Sequence, residues 1–349
     1  MKSSYTQDDV LLLLKDITGL VEPQSTEERE RLIQSGRHYC EMLPIEYVPT
    51  QKYMDIYHNS LKSFAKPTAD AVGCLAEKVL QRRGENTVLV SLARAGIPIG
   101  ILLKRYLRYR YHITVPHYAI SIIRGRGIDK NAMKYLLDRH APQDLLFVDG
   151  WVGKGAILNQ LQKAVSEFDG VSPEIAVVAD PANVTELCGT HEDILIPSSC
   201  LNCTVSGLIS RTFLRDDIIG ENDFHGAVYY GELAQQDLSY QFIDAIERFF
   251  TPTPQAADIT LNGSGMEEVR AIAEHFGIAD INLIKPGIGE TTRVLLRRVP
   301  WQILVNPNDR NAPELSPILR LAEEKNVPVT AYPLTHYRCC GIIRALADT

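Results

Sequence analysis

The sequence predicts an α/β protein with a larger parallel-sheet domain and a smaller C-terminal α/β domain. Three observations carry this prediction. The chain has 349 residues, which is longer than a domain with a single hydrophobic core usually is, so two domains are expected. Up to about residue 250, short and almost wholly apolar runs alternate with helical patterns, which is typical of parallel strands covered by helices. A helical pattern is then followed by a segment at 249–259 that contains two prolines and suits a linker.

The apolar runs of the first domain have the lengths of strands. Because nearly all of their residues are apolar, we expect both faces of the sheet to be buried under helices. In the helix predicted at 96–107, Pro98 suits the first turn, and the apolar residues recur on one face. We expect strands within 87–92, 114–122, 145–150, 175–180 and 193–197.

The domain boundary is predicted between residues 254 and 255. About the first 75 residues are expected to be helical and to cover the sheet, because residues 4–17 place a plausible N-cap before an apolar run. Residues 1–254 then form the larger domain, and residues 255–349 form a compact α/β unit of their own.

Composition and charge narrow the classes of function. The net charge of −7 gives no general attraction to nucleic acid or membranes, so any such binding must be local. The sequence contains no apolar run long enough to span a bilayer and no signal-peptide pattern. We therefore expect the protein to be cytoplasmic and not membrane-bound. The seven cysteines are an odd number, which suits reduced thiols. Cys200 and Cys203 lack a second pair at zinc-site spacing, so no protein-bound metal is predicted.

The segment "LLFVDGWVGKGAI" at 145–157 ends a strand in a glycine-rich turn before a helical pattern. Such a turn directs backbone N–H groups at one point and favours a phosphate. No hydroxyl residue follows Lys154 as a Walker A loop requires, and no G-x-G-x-x-G fingerprint is present. We predict that Asp149 holds ribose hydroxyls. The backbone amides predicted to hold a 5′-phosphate are those of Gly153, Lys154, Gly155 and Ala156.

A second turn of the same kind lies in "SLARAGIPIG" at 91–100. Parallel strands present their carboxyl ends at one edge of the sheet, so both turns are expected to meet there. An ordinary strand-to-helix turn is the alternative interpretation. The turn resembles the pyrophosphate loop of type I phosphoribosyltransferases, and this resemblance implies that pyrophosphate is bound by Ala93, Arg94, Ala95 and Gly96.

Between the two turns, basic residues stand on a glycine-containing stretch at 121–140. This combination suits a mobile lid that closes over a polyphosphate and excludes water. A solvated basic loop is the alternative. The residues predicted to form the lid are Arg124, Arg126, Lys130 and Lys134.

Both turns resemble the loops of type I phosphoribosyltransferases, which use phosphoribosyl pyrophosphate (PRPP). Asp149 stands at the first acid of the PRPP loop, whereas Gly150, Lys154 and Ile157 replace its second acid and two threonines. The resemblance implies a type I phosphoribosyltransferase-like sheet domain, PRPP as substrate and a homodimer. It also implies Mg²⁺ on the diphosphate and catalytic roles for Asp149, Arg94 and Lys154.

The whole chain resembles a bacterial group found with tellurite-resistance and stress gene clusters. In that group a phosphoribosyltransferase-like domain precedes a Pelota-like RNA-binding domain. The stretches that carry the resemblance are 37–49, 91–100, 147–157, 285–307 and 321–329.

The Pelota-like resemblance implies contacts to RNA. The motif of that fold is Gly-x-Asn-Glu, followed by two residues and a Lys. In this sequence Gly287, Glu290 and Arg293 stand at the Gly, Glu and Lys positions, and Gly289 replaces the Asn. Arg293, Arg297 and Arg298 are expected to meet RNA phosphates. A fold retained for protein docking or structure is the alternative.

Taken together, these features predict a Mg²⁺-dependent transferase that uses PRPP and an unknown acceptor. It would act on or near RNA, or make a nucleoside-like metabolite, in a stress response. Two alternatives remain open. One is a cysteine protease, as members of the group have been described, with Cys40 beside His38 or Cys200 with His225 as nucleophile and base. The other is a non-catalytic RNA-binding module.

Overall fold

A computed structural model describes residues 1–257 and 259–343 of the protein. The strands of the larger domain are Leu11–Leu12 (β1), Lys15–Asp16 (β2), Val88–Leu92 (β3), His117–Ile120 (β4), Ile122–Ile123 (β5), Gly127–Ile128 (β6), Leu145–Trp151 (β7), Ile175–Ala179 (β8), Cys188–Thr190 (β9) and Gly226–Ala227 (β10). Over the described residues, six of them form the main sheet in the order β1-β4-β3-β7-β8-β9, and all neighbouring pairs are parallel.

Helices cover both faces of this sheet. The helices of the larger domain are Thr26–Gln34 (α1), Gln51–Arg83 (α2), Gly96–Tyr111 (α3), Lys130–Leu137 (α4), Ala156–Val165 (α5) and Ser239–Glu247 (α6). Side chains alternate along β7: Leu146 and Val148 join the core with α2, α3 and α6, whereas Leu145 and Phe147 join the core with α4 and α5. The predicted parallel sheet, buried on both faces, is confirmed.

The N-terminal segment differs from the prediction. Residues 4–17 were expected to be helical, but this stretch contains the short strands β1 and β2. Leu11 pairs with Tyr118 at the edge of the main sheet, and Lys15 pairs with Gly226. The unpaired edge of β4 offers this segment backbone hydrogen bonds, and that tertiary pairing overrides the local helical pattern.

The smaller domain has its own sheet. Its strands are Ile284–Pro286 (β11), Pro300–Val305 (β12), Val329–Ala331 (β13) and Cys339–Ile343 (β14), and its helices are Gly265–Phe276 (α7), Ile288–Arg297 (α8) and Ser316–Glu324 (α9). In the part of the chain that is described, the strand order is β11-β14-β12-β13, with one parallel pair, β12 and β13. A smaller C-terminal α/β domain is therefore confirmed, while its boundary at 254/255 stays a prediction.

Helix α8 places the smaller domain against the larger one. Its buried residues Ile288 and Leu295 belong to the same apolar cluster as Val148 of β7. The contact covers the carboxyl edge of the main sheet, where the glycine-containing turns lie. Among the described helices, none combines the length and apolar character that a membrane span requires.

Candidate active site

The two glycine-containing turns lie side by side at the carboxyl edge of the main sheet. β3 and β7 are neighbours, with Ser91 opposite Val148. The turn after β3 packs so closely on β7 that a Cβ on Gly96 would lie 2.3 Å from the carbonyl oxygen of Val148. Ala95 and residues 153–156 line one cleft. The expected meeting of the two turns is therefore observed, while their ligand-binding roles stay predictions.

This cleft, which we call the interdomain cleft, has a volume of about 280 Å³ and lies between the two domains. The larger domain contributes both turns and Trp151. The smaller domain contributes the end of β11 and the first turns of α8. The charged and polar side chains that line the cleft are those of Arg124, Asp149, Lys154, Asn282, Lys285, Glu290 and Arg293.

Asp149 lies on the larger domain's side of the cleft at the end of β7. Its Oδ1 accepts a 2.7 Å hydrogen bond from the Gly150 amide. Burial raises the pKa of Asp149 to about 6, although that hydrogen bond and the charge of Arg293 favour the ionised form. The carboxyl group therefore changes charge just below neutral pH.

Lys154 joins the two domains. Its Nζ donates to the carbonyl oxygens of Ile281, at 2.8 Å, and Ile284, at 3.0 Å. Burial and the nearby Lys285 lower the pKa of Lys154 to about 8. Two of the three N–H groups of this ammonium are bonded to the smaller domain.

Asp193 forms a second connection between the domains, and the sequence did not single it out. Both of its carboxylate oxygens accept from the backbone N–H of Ile288, at 3.0 and 3.1 Å, and one accepts from that of Arg338 at 3.0 Å. Ile288 begins α8, so the carboxylate caps the helix and complements its dipole. Burial raises the pKa of Asp193 to about 7 despite these bonds.

Arg94 does not line the interdomain cleft. One of its terminal nitrogens donates to the carbonyl of Ile209 at 2.9 Å and lies 3.6 Å from a carboxylate oxygen of Glu46. Ala95, the next residue, lines both the cleft and an adjoining cavity that Arg94 also lines. Of these two neighbouring residues in the turn after β3, Ala95 therefore borders both cavities, whereas Arg94 borders only the adjoining one.

The predicted lid is a hairpin made by β5 and β6. Its Arg124 lines the cleft and donates to the side-chain oxygen of Asn282 at 3.2 Å. Arg126 forms an ion pair with Glu41 at 2.8 Å. Lys130 belongs to α4 and forms its own exposed ion pair. The structure thus joins the two arginines to different segments, and their lid role stays a prediction.

The residues predicted to contact RNA lie where the two domains meet. Gly287 precedes α8, and Glu290 and Arg293 line the interdomain cleft and pair at 3.4 Å. Arg298 follows the helix and is exposed. The side chain of Arg297 falls outside the described residues.

Cys40 and His38 are in direct contact. The Sγ of Cys40 lies 3.0 Å from Nδ1 of His38, and the Cys40 backbone N–H donates to the same nitrogen at 3.4 Å. Both residues belong to the short 3-10 turn Tyr39–Glu41 and its cap. Burial raises the pKa of the Cys40 thiol, whereas the charge of Arg126 lowers it.

A second thiol also contacts an imidazole. The Sγ of Cys188 lies 3.4 Å from Nε2 of His191, and Nδ1 of that ring is 2.8 Å from the carbonyl oxygen of Asp180. The carbonyl accepts the Nδ1 proton and so leaves Nε2 free to accept. Cys188 is part of the edge strand β9 and is buried.

The pairing of Cys200 with His225 does not form. Cys200 lies 3.7 Å from the hydroxyl of Ser60 on α2, while the ring of His225 contacts the Ser121 hydroxyl at 2.8 Å, beside the start of α4. The two residues pack with helices on different faces of the sheet, so this expected pair is wrong.

Within the described ranges, no group of three or more His, Cys, Asp or Glu residues is arranged to hold a metal ion. Magnesium was expected only as the companion of a diphosphate, and it stays a prediction.

Comparisons with known proteins identify the family. Residues 3–247 match the family described as "Tellurite-like stress resistance cysteine protease StiP". The "Cysteine protease StiP" of Acinetobacter baylyi (strain ATCC 33305 / BD413 / ADP1) is 35% identical over 366 aligned positions, covering 98% of this chain and 94% of that protein. This chain belongs to the StiP family. Residues 263–345 also match the PELOTA RNA binding domain, so a Pelota domain forms the C-terminal part of this StiP family member.

A solved structure gives a much weaker match. A hypoxanthine-guanine phosphoribosyltransferase from Bacillus anthracis str. 'Ames Ancestor' is 16% identical, with a TM-score of 0.26, and the match covers 35% of this chain and 71% of that one. A likeness at this TM-score supports no assignment. The type I phosphoribosyltransferase form of the sheet therefore stays a prediction.

The predicted transferase activity is wrong, as are the enzyme class and the PRPP substrate that went with it. Both the family and its Acinetobacter member are named as cysteine proteases. The structure offers physical reasons for the error. The turn after β7 has Gly150 in place of a second acid, and the ammonium of Lys154 is bonded to Ile281 and Ile284 of the smaller domain. Glycine-rich turns between a strand and a helix occur in many kinds of binding site, so the pattern alone does not identify a PRPP loop. In this protein the turn faces the smaller domain.

Proposed function

We propose that this StiP family member is a cysteine peptidase in which Cys40 is the nucleophile and His38 the base. The observation that carries the proposal is the 3.0 Å contact between Cys40 Sγ and His38 Nδ1. Family membership and the name of the Acinetobacter relative support peptidase chemistry. The contact supports this choice because an adjacent imidazole favours the thiolate, and it is shorter than the 3.4 Å contact between Cys188 and His191.

The imidazole of His38 has a defined acceptor nitrogen. The Cys40 backbone N–H donates to Nδ1, so in the neutral ring the proton resides on Nε2. Nδ1 is then able to accept the thiol proton. Nε2 faces Gly125 in the β5–β6 hairpin.

Hydrolysis would take two steps. In the first, His38 Nδ1 removes the thiol proton, and Sγ attacks the carbonyl carbon of the scissile peptide bond. The C–N bond breaks as the imidazolium protonates the leaving amine, and a thioester forms on Cys40. In the second, His38 deprotonates a water molecule that attacks the thioester. The acid product leaves, and the proton returns to the thiol.

The β5–β6 hairpin contacts the turn that carries the thiol and would control access to it. The Arg126–Glu41 ion pair, at 2.8 Å, links the hairpin to the Cys40 turn. The backbone N–H of Arg124 donates to the Tyr39 hydroxyl at 3.0 Å. Because Cys40 is buried beneath these contacts, substrate reaches it when the hairpin moves.

Replacing the nucleophile tests the proposal. We expect Cys40→Ala to reduce hydrolysis of fluorescently labelled casein by roughly 10⁴-fold or more, since the variant has no group to form the thioester. A peptidyl epoxide should modify Cys40 in the native protein, as seen by mass spectrometry of its peptides.

The matched control is Cys188→Ala, which removes the other buried thiol in contact with a histidine. It should retain native hydrolysis. Undiminished casein hydrolysis by Cys40→Ala, or its loss in Cys188→Ala alone, would assign the nucleophile elsewhere.

We also propose that the smaller domain binds RNA, supported by its match to the PELOTA RNA binding domain. The Arg293→Gln variant should weaken binding of a fluorescent bulged RNA hairpin and reduce the salt dependence of log K by roughly one phosphate contact, a slope change of about 0.7 to 0.9. Fluorescence anisotropy over a salt series measures both. Arg320→Gln, on the exposed face of α9, is the control. An unchanged slope in Arg293→Gln would remove this residue from the RNA contact.

A further inference from the structure

A second cavity, which we call the Arg29 cavity, lies beside the segment that follows the Cys40 turn. Its volume is about 470 Å³. Part of its wall is apolar and open to solvent: Tyr47 is 71% exposed and Val48 is 54% exposed. The apolar residues that line it are Ile45, Tyr47, Val48, Pro49, Tyr53 and Leu201.

The charged residues that line this cavity are Arg29 and Glu46. Arg29 lines it, and Arg29 and Arg94 both act electrostatically on the neighbouring Arg211. Glu46 also lines the cavity, but it is paired with Arg94. Among the described side chains, no carboxylate pairs with Arg29 or Arg211. Burial, followed by the two other arginines, lowers the pKa of Arg211 to about 10.

Two donors that line the cavity have no partner among the described residues. The Nε of Arg29 and the hydroxyl of Thr204 are buried and make no hydrogen bond there. Thr204 is 1% exposed. An unsatisfied buried donor costs about 1–3 kcal/mol, so these two groups in one cavity indicate a missing acceptor.

Arg211, an electrostatic neighbour of the cavity residue Arg29, contacts the turn of the proposed nucleophile. One of its terminal nitrogens donates to the carbonyl oxygens of Tyr39, at 3.0 Å, and Met42, at 3.2 Å. These carbonyls flank Cys40 in the chain. A ligand held by Arg29 would therefore bind near the arginine that contacts the turn carrying the thiol.

We infer that the Arg29 cavity binds the C-terminal carboxylate of a peptide, with the adjoining side chains of that peptide against the apolar wall. Guanidinium groups suit a planar carboxylate because they donate two parallel hydrogen bonds to it. The choice of a peptide rests on the proposed peptidase function. The protein would then cleave substrates close to their C-terminus.

Binding to the Cys40→Ala protein tests the inference without cleavage. The probes are a dansylated Leu-Tyr-Leu tripeptide with a free C-terminus and the same tripeptide as its C-terminal amide. We expect the free acid to bind at least tenfold more tightly, a difference of about 1.4 kcal/mol. Adding Arg29→Gln should remove that difference. Arg31→Gln is the control, because Arg31 lies on the same helix in an exposed pair with Glu28 and should leave it unchanged.

Equal binding of the acid and the amide would overturn the inference, as would an undiminished preference in Arg29→Gln. Displacement of the free acid by an equal concentration of inorganic phosphate would overturn it too, since the site would then accept any oxyanion. These outcomes are separate from the proposed function. Casein hydrolysis that depends on Cys40 can persist when carboxylate binding fails, and carboxylate binding can be observed when hydrolysis is absent.

Discussion

Gly96 is a residue whose missing side chain shapes the site. The turn after β3 approaches β7 so closely that a Cβ at this position would lie 2.3 Å from the Val148 carbonyl oxygen and 3.2 Å from the Asp149 Cα. Both neighbours are backbone atoms within the main sheet and cannot rotate away. Gly150, on the facing strand, has more room: the nearest atom to its added Cβ is the Ala95 carbonyl oxygen at 3.9 Å.

We therefore expect Gly96→Ala to lower the free energy of unfolding by roughly 2–3 kcal/mol, because overpacking forces the backbone to shift. The matched Gly150→Ala variant should change it by less than about 1 kcal/mol. Urea denaturation followed by circular dichroism measures both. Equal effects of the two substitutions would show that the close approach at Gly96 is not a constraint on stability.

The sequence predicted only some of the contacts between cysteine and histidine side chains. The sequence identified Cys40 beside His38 as a candidate pair because the residues are close along the chain, and the two are in contact. It also paired Cys200 with His225, which are far apart in sequence and in the fold. Cys188 and His191 are only three positions apart, yet they were overlooked because no motif marks them.

At the scale of elements, periodicity predicted most of the buried strands and helices. β3 and β8 fall within the predicted apolar runs, β7 extends one residue beyond its run, and α3 begins at the start of the predicted helix. The secondary structure of these segments can be predicted from the local sequence, because their apolar residues follow the pattern of the helix or buried strand that they form.

Two elements departed from their local pattern. The segment at 193–197 was expected to be a strand, but the edge strand is Cys188–Thr190 instead. Asp193 caps α8 of the other domain, and Pro197 lacks the N–H that a sheet ladder requires. Likewise, β1 exists because β4 offers it an unpaired edge. In both cases a distant partner outweighs local preference.

At the scale of the whole molecule, the domains are joined by buried polar contacts at the edge of the sheet. Lys154 donates to the smaller domain, and Asp193 accepts from it. The pKa of Asp193 is raised to about 7 by burial, so the folded protein holds its proton to a higher pH than the unfolded chain does. Its protonation therefore favours folding below about pH 4, and that contribution is lost as pH rises through about 7.

Between pH 5 and pH 7.5, we expect Asp193→Asn to lose roughly 2 kcal/mol less stability than the native protein does. The amide keeps an acceptor for the Ile288 N–H but has no proton to release, and one pKa unit corresponds to about 1.4 kcal/mol. Urea denaturation at the two pH values gives the difference. Asp216→Asn, at an exposed position, should behave as the native protein does. Parallel pH profiles for the native protein and Asp193→Asn would mean that this carboxyl group does not control the pH dependence.

The sequence by itself determined the alternation of buried strands and helices, the parallel sheet, the meeting of its two turns and the smaller second domain. Those features depend on local periodicity and on the common direction of parallel strands. Only the tertiary structure decided that α8 covers the turns, that Lys154 bonds to Ile281 and Ile284, and that Arg211 bonds to the carbonyls that flank Cys40. Each of these depends on which distant groups satisfy a buried charge or hydrogen bond, and that choice is made between segments that are far apart along the chain.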